Sequence, residues 1–202
     1  MITDEKTADK WLDGLDEVLK KVQEKQAQEN KSAIQYSIDE TGLSAEKKAA
    51  YDEYVQNALA GKGNNEQSYI QLAPVSSRLV EDLKSQGADV EGMHHIVKDN
   101  DIRHMRNRHG ILVEGKYGIT IGDLQAIPYI TEQYTEVKPR FKNGKLYGIV
   151  YVLDHVDTTY YVEGAVSGNM LEGKQMIKAP LGTVPQEYWT EFGKKKHLWR
   201  TR

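Results

Sequence analysis

The chain has 202 residues, 39% of them hydrophobic and 28% charged, with a net charge of −3 and no cysteine. Such a length suits one domain of ordinary size with an appendage rather than two large domains. The missing thiols exclude disulfides, cysteine nucleophiles and cysteine-ligated metal centres. The N-terminus MITDEKTADKWLDG lacks a basic segment followed by an apolar run, and no stretch approaches the roughly 18 apolar residues a membrane span needs. The expectation is a soluble, cytoplasmic protein with no membrane partner. Charge is uneven: residues 1–66 carry fourteen acids against nine bases, whereas the last nine residues, KKKHLWRTR, carry five bases and no acid. A basic tail containing Trp199 can grip a phosphate backbone, although a frayed terminus has the same composition.

In chain order, residues 4–30 place Ala8, Trp11, Leu15, Val18 and Val22 at three-four spacing, which predicts an amphipathic helix. It frays into the polar segment QEKQAQENKS and is too short for an independent coiled coil, so it should dock on the domain or on a partner. IQYSIDETGLS reads as irregular or as one short strand. AEKKAAYDEYVQNALAGKG predicts a helix with Ser44 as N-cap, Tyr51, Val55 and Leu59 facing inward, and Gly61 ending it. The polar loop GKGNNEQ then marks a boundary, giving a helical extension over 1–66, a domain over 67–193 and a basic tail over 194–202.

Within the domain, SYIQLA reads as a strand and PVSSRLVEDLKSQG as a helix with Pro74 near its first turn and Gly87 after its end. MHHIVK is a short strand, with the side chains of His94 and His95 on opposite faces. Asp99 or Asn100 then caps a helix that Gly110 terminates, and TIGDLQAI forms a short helix ended or kinked at Pro128. Next come TEVKPRF, KLYGIVYVLD, TTYYVEGAV and GKQMIKAP, rich in β-branched and aromatic residues, with Asn143-Gly144 signalling a type I′ hairpin. Helices followed by consecutive strands indicate an α+β fold, with N-terminal helices packed on a roughly four-stranded antiparallel sheet and preceded by the helical extension.

The segment NDIRHMRNRHG concentrates the chemistry. Helical geometry puts Ile102, Met105 and His109 on one face and His104 with Arg108 on another. His109, in the last turn, suits a half-buried capping role favoured by the helix dipole. His104, among Asp101, Arg103 and Arg108, forms a cationic surface suited to an anionic ligand. H-x4-H differs from helical zinc-pair spacing, so neither metal nor cofactor is assigned. Lys174 and Lys178, at i and i+4 on a strand, share a face, as edge-guarding lysines would. Asp123 near the start of a short helix complements its dipole.

Taken together, DIRHMRNRHG, ITIGDLQAIPYI, the tyrosine- and valine-rich strands and LEGKQMIKAP resemble the phage-associated Barnase/EndoU/colicin/RelE-like (BECR) nuclease domains over about residues 68–180. The resemblance rests on the order of several short motifs. It implies a metal-independent endoribonuclease of phage or prophage origin, working in the cytoplasm of a bacterial host with RNA as its partner. It matches His104 and His109 to the two catalytic histidines and Asp123 to the acidic position, and it places Lys174 and Lys178 beside the late-strand cluster. The family shows serine or threonine where this chain has Gln175. Metal-free RNA cleavage needs a base for the 2′-OH, an acid for the leaving 5′-oxygen and cations for the phosphorane. The candidate catalytic residues are thus His104, His109, Lys174 and Lys178, with Arg103, Arg108, Asp123 and Gln175 binding substrate. The alternatives are a degenerate module that holds RNA or protein without cutting, and a phage structural or accessory protein. In these the N-terminal helix contacts a partner or inhibitor protein.

Overall fold

The computed structural model describes residues 33–62, 68–110 and 117–183, with scattered helical positions between 17 and 27. The Trp11 stripe and the basic tail with Trp199 lie outside the described residues. Ile34 to Ser37 are irregular and lead into a single 3₁₀ turn, Ile38–Thr41, where the sequence left a strand open. Helix α1 runs Ala45–Leu59, with the Ser44 hydroxyl accepting from the Lys47 amide, and Gly61 follows at φ 68°. Strand β1 is Tyr69–Pro74 and helix α2 is Ser77–Lys84. Pro74 therefore closes a strand instead of opening the helix, whose N-cap is Ser76. Proline is tolerated at such a strand end because it forgoes a single ladder donor.

Strand β2, His94–Lys98, leads directly into helix α3, Asp99–His109, whose N-cap position is Lys98 and makes no side-chain cap. Gly110 ends α3 in an extended conformation, and a Cβ there would lie 2.3 Å from the Arg106 carbonyl oxygen. Close backbone approach, not a left-handed turn, is what requires glycine at this helix end. Helix α4 is Ile121–Gln125, and Pro128 sits in the first turn of helix α5, Ile127–Gln133. Pro128 thus begins a helix, as its missing N–H allows in a first turn.

Strands β3 (Glu136–Lys142), β4 (Lys145–Asp154), β5 (Thr158–Val166) and β6 (Met170–Ala179) complete the order. Asn143 and Gly144 have φ 53° and 73°, as a type I′ turn requires. The expected α+β class is observed, but the sheet has six strands in the order β1-β2-β6-β5-β4-β3, and β2 pairs with β6 in parallel. The two extra strands join through a pairing between segments about seventy residues apart, which no local pattern discloses.

Alternation divides the sheet into two faces. Tyr151, Tyr161, Leu171 and Met176 face the helices and share one core with Leu79, Val97, Ile102, Met105 and Ile130. Ile34, Leu43, Tyr51, Val55 and Ala58 belong to the same core, so residues 34–59, assigned by the sequence to the extension, are packed continuously with the sheet domain. The polar loop at 61–67 separates elements in sequence, not in packing. On the other face, Val150, Val152, Tyr160, Val162 and Ile177 form a smaller cluster.

Candidate functional site

Two irregularities in the sheet decide which side chains meet. Arg140 pairs with Gly148 and Phe141 with Leu146, so Tyr147 is an extra residue in β4. Val162 pairs with Gln175 and Glu163 with Gly173, so Lys174 is an extra residue in β6. A bulge turns two successive side chains of the bulged strand toward the side of the residue opposite them. Tyr147 and Gly148 accordingly accompany Arg140, and Lys174 and Gln175 accompany Val162. All six line one cleft of about 370 Å³, together with Gly164 and His104.

The cleft lies on the sheet face away from the main core, and helix α3 supplies one wall. Its floor is the Gly148–Gly164 cross-strand pair. Gly148 is buried, and a Cβ on it would lie 2.5 Å from the Glu163 carbonyl oxygen, an obstacle that backbone cannot easily yield. The aliphatic stem of Lys174 lies across Gly164, with its Cγ and Cε 3.5 Å from where a Cβ would stand. Gly148→Ala is expected to cost about 1–3 kcal/mol by overpacking; urea unfolding checks it, and an unchanged midpoint would contradict the rigid floor.

Carboxylates beneath the cleft balance the Lys174 ammonium. Lys174 pairs with Glu172 and lies 3.7 Å from Asp101, and Lys98 reaches Glu172 at 3.0 Å. Burial, outweighing Lys174 and helped by a hydrogen bond with Glu172, raises the Asp101 carboxyl to about 6. Burial acts in the same direction on Glu172, but hydrogen bonds from Lys174 and Lys98 bring it below its ordinary value. Glu172 is therefore the ionised member of the pair and Asp101 carries their proton until about pH 6. On the exposed side, partial burial followed by the charges of Arg108 and His109 lowers the His104 imidazole from 6.5. His104 is mainly neutral at neutral pH, able to accept a proton.

The eight residues selected from sequence divide sharply. His104, Lys174 and Gln175 line the cleft. Arg108 is exposed on α3 and acts on His104 through its charge. Arg103 is engaged by Asp99 one turn earlier. His109 is half-buried and is not among the lining residues, as five helical steps rotate it by about 140° from His104. Asp123 and Lys178 are fully buried on the core face, where Lys178 Nζ lies 3.2 Å from Asp123 Oδ1 and 3.0 Å from Asp157 Oδ2. Lys178 is thus a core ion-pair residue and not a substrate contact. The extra residue at Lys174 inverts the alternation between positions 174 and 178, so two lysines four apart end on opposite faces. Asp123 closes a capping box with Thr120 instead of facing a ligand.

Sequence reasoning passed over Arg140 and the glycine floor. A signal was present: Gly148 and Gly173 each sit inside a strand pattern next to a bulge residue, and an isolated strand glycine marks a bulge or a close approach. Comparison of the chain with protein-family models, with curated proteins and with solved structures returned no match.

Proposed function

We propose that the domain is a metal-independent endoribonuclease that holds the scissile phosphate in the glycine-floored cleft. The carrying observation is the convergence of His104, Arg140, Tyr147 and Lys174 from four different elements onto one small concavity. His104, neutral at neutral pH, takes the 2′-OH proton. The 2′-oxygen attacks phosphorus, the bond to the 5′-oxygen breaks, and a 2′,3′-cyclic phosphate and a 5′-hydroxyl remain. Arg140 and Lys174 stand where the phosphorane's charge grows, and preorganised donors there weigh more than in water. With one imidazole lining the cleft, the leaving oxygen takes its proton from solvent.

Incubation of the protein with total or transfer RNA in EDTA should yield cyclic-phosphate ends, and His104→Ala should slow this by about a hundredfold, the lower range for loss of a positioned base. His109→Ala should cut at nearly the normal rate. Because His104 must be neutral and its pKa is lowered, the acid limb of the rate profile should fall below pH 6.5. A second reading has its own observation: with Gln175 at the hydroxyl position of the resembled family and a single histidine in the cleft, the domain binds RNA without cutting it. Shifted but intact RNA would select that reading, and neither binding nor cleavage would overturn both.

A further inference from the structure

The cleft does not end at Arg140. Beyond it the β3–β4 hairpin projects, and its residues 138–145, KPRFKNGK, contain four bases and no acid. Alternation along β3 and the Lys142–Lys145 pairing put these two lysines on the same face as Arg140 and Gly148. Both lysines are exposed, and Lys142 Nζ stands 5.7 Å from the centroid of the Tyr147 ring, which is 49% exposed. Lys142, Tyr147, Arg140 and the glycine floor therefore follow one another across a single surface, with basic groups two residues, or about 7 Å, apart along β3.

Resting on the RNA reading of the cleft, we infer that this hairpin face is a track for single-stranded RNA, with Lys142 and Lys145 on successive phosphates and a base stacked on Tyr147. The chemistry discriminates among nucleic acids. A base can lie on an aromatic ring only if it leaves its own stack, which a single strand allows and an A-form duplex does not. The bulge at Tyr147 serves this purpose, because a regular strand would turn that ring toward the opposite face. β3 is also an edge strand, where lysines can serve simply to block association with another sheet. That role makes a different forecast: their loss would promote aggregation and leave RNA affinity unchanged.

The test uses the full chain and a short, fully 2′-O-methylated RNA, which lacks the attacking hydroxyl and so reports binding independently of cleavage. Fluorescence anisotropy should show the single strand bound at least about tenfold more tightly than a duplex of the same sequence. Tyr147→Leu should weaken the single strand by about tenfold, within the range for one stacked base. Lys142→Ala/Lys145→Ala, exposed positions outside the cleft lining, should reduce the slope of log affinity against log salt by about 1.4, two single-strand phosphates at ~0.7 each. Equal affinity for duplex, an unchanged salt slope, or no RNA binding by the wild type would each overturn the track. Cleavage with these variants indistinguishable from wild type sinks the track alone. The expected shifts without cleavage sink only the nuclease chemistry.

Discussion

Replacing Lys178 with methionine should lower folding stability by about 3–5 kcal/mol, the usual cost of removing one partner from a buried ion pair. Its ammonium is fully buried between Asp123, 3.2 Å away, and Asp157, 3.0 Å away. Methionine keeps most of the volume, so the loss measures charge rather than a cavity. Asp123 is the pivot of the arrangement. Its carboxylate accepts from the Thr120 amide at 2.8 Å and the Ile34 amide at 3.0 Å, while Lys178 approaches from β6. Three segments far apart in sequence are joined at one carboxylate. Removal of Lys178 leaves that anion buried with its amide donors alone, and burial already raises the neighbouring Asp157 carboxyl against the pull of Lys178. Urea unfolding reads the loss as a lower midpoint with unchanged slope. An unfolding free energy within about 0.5 kcal/mol of wild type, the range of an ordinary surface change, would show that the pair contributes nothing net.

His95→Leu should cost a similar amount, about 3–5 kcal/mol, and should also change how stability depends on pH. His95 is buried in the core, with Nδ1 3.0 and 2.9 Å from the two carboxylate oxygens of Glu163, and the Tyr151 hydroxyl donates to the same carboxylate at 2.8 Å. Burial pushes the imidazole pKa down, but the charge of Glu163, its hydrogen bond and the more distant charge of Glu132 together raise it above 6.5. A group whose folded pKa exceeds its unfolded one stabilises fully below the unfolded value and loses that contribution as pH rises through the folded value. Stability attributable to His95 is therefore complete below about pH 6.5 and declines above it. The difference between wild type and His95→Leu should shrink across that window. Should the leucine variant fail to fold, Glu163→Gln supplies the check: size is retained, the charge that raises His95 is gone, and the decline above pH 6.5 should vanish. Persistence of the decline in Glu163→Gln would assign it elsewhere.

Much of the secondary structure was legible in the sequence because its causes are local. The Ser44 cap, the spacing of Tyr51 and Val55, and the positive-φ demand at Asn143-Gly144 act over a few residues, and each produced the expected element. Pro74 misled because proline marks an end without saying on which side the element lies, and here it closed a strand; the end or kink expected at Pro128 is the break between α4 and α5. The candidate site was half legible. His104 stood out through its charged neighbours, and Lys174 only through the resemblance of its strand to a nuclease family. Arg140 and Tyr147 carried no motif, since each gains its meaning from a strand that it meets only after folding.

The amino-acid sequence by itself determined the α+β class, most of the helices and strands, the hairpin turn and the position of His104 on a cationic helix. Only the tertiary structure decided that the sheet has six strands, that residues 34–59 share its core, and that Lys174 and Lys178 part company. The physical reason is that propensities and caps are properties of short segments, whereas a bulge is a mismatch between two paired strands. One unpaired residue sends Lys174 to the open cleft and Lys178 to a buried carboxylate, and neither strand alone contains the information that the mismatch occurs.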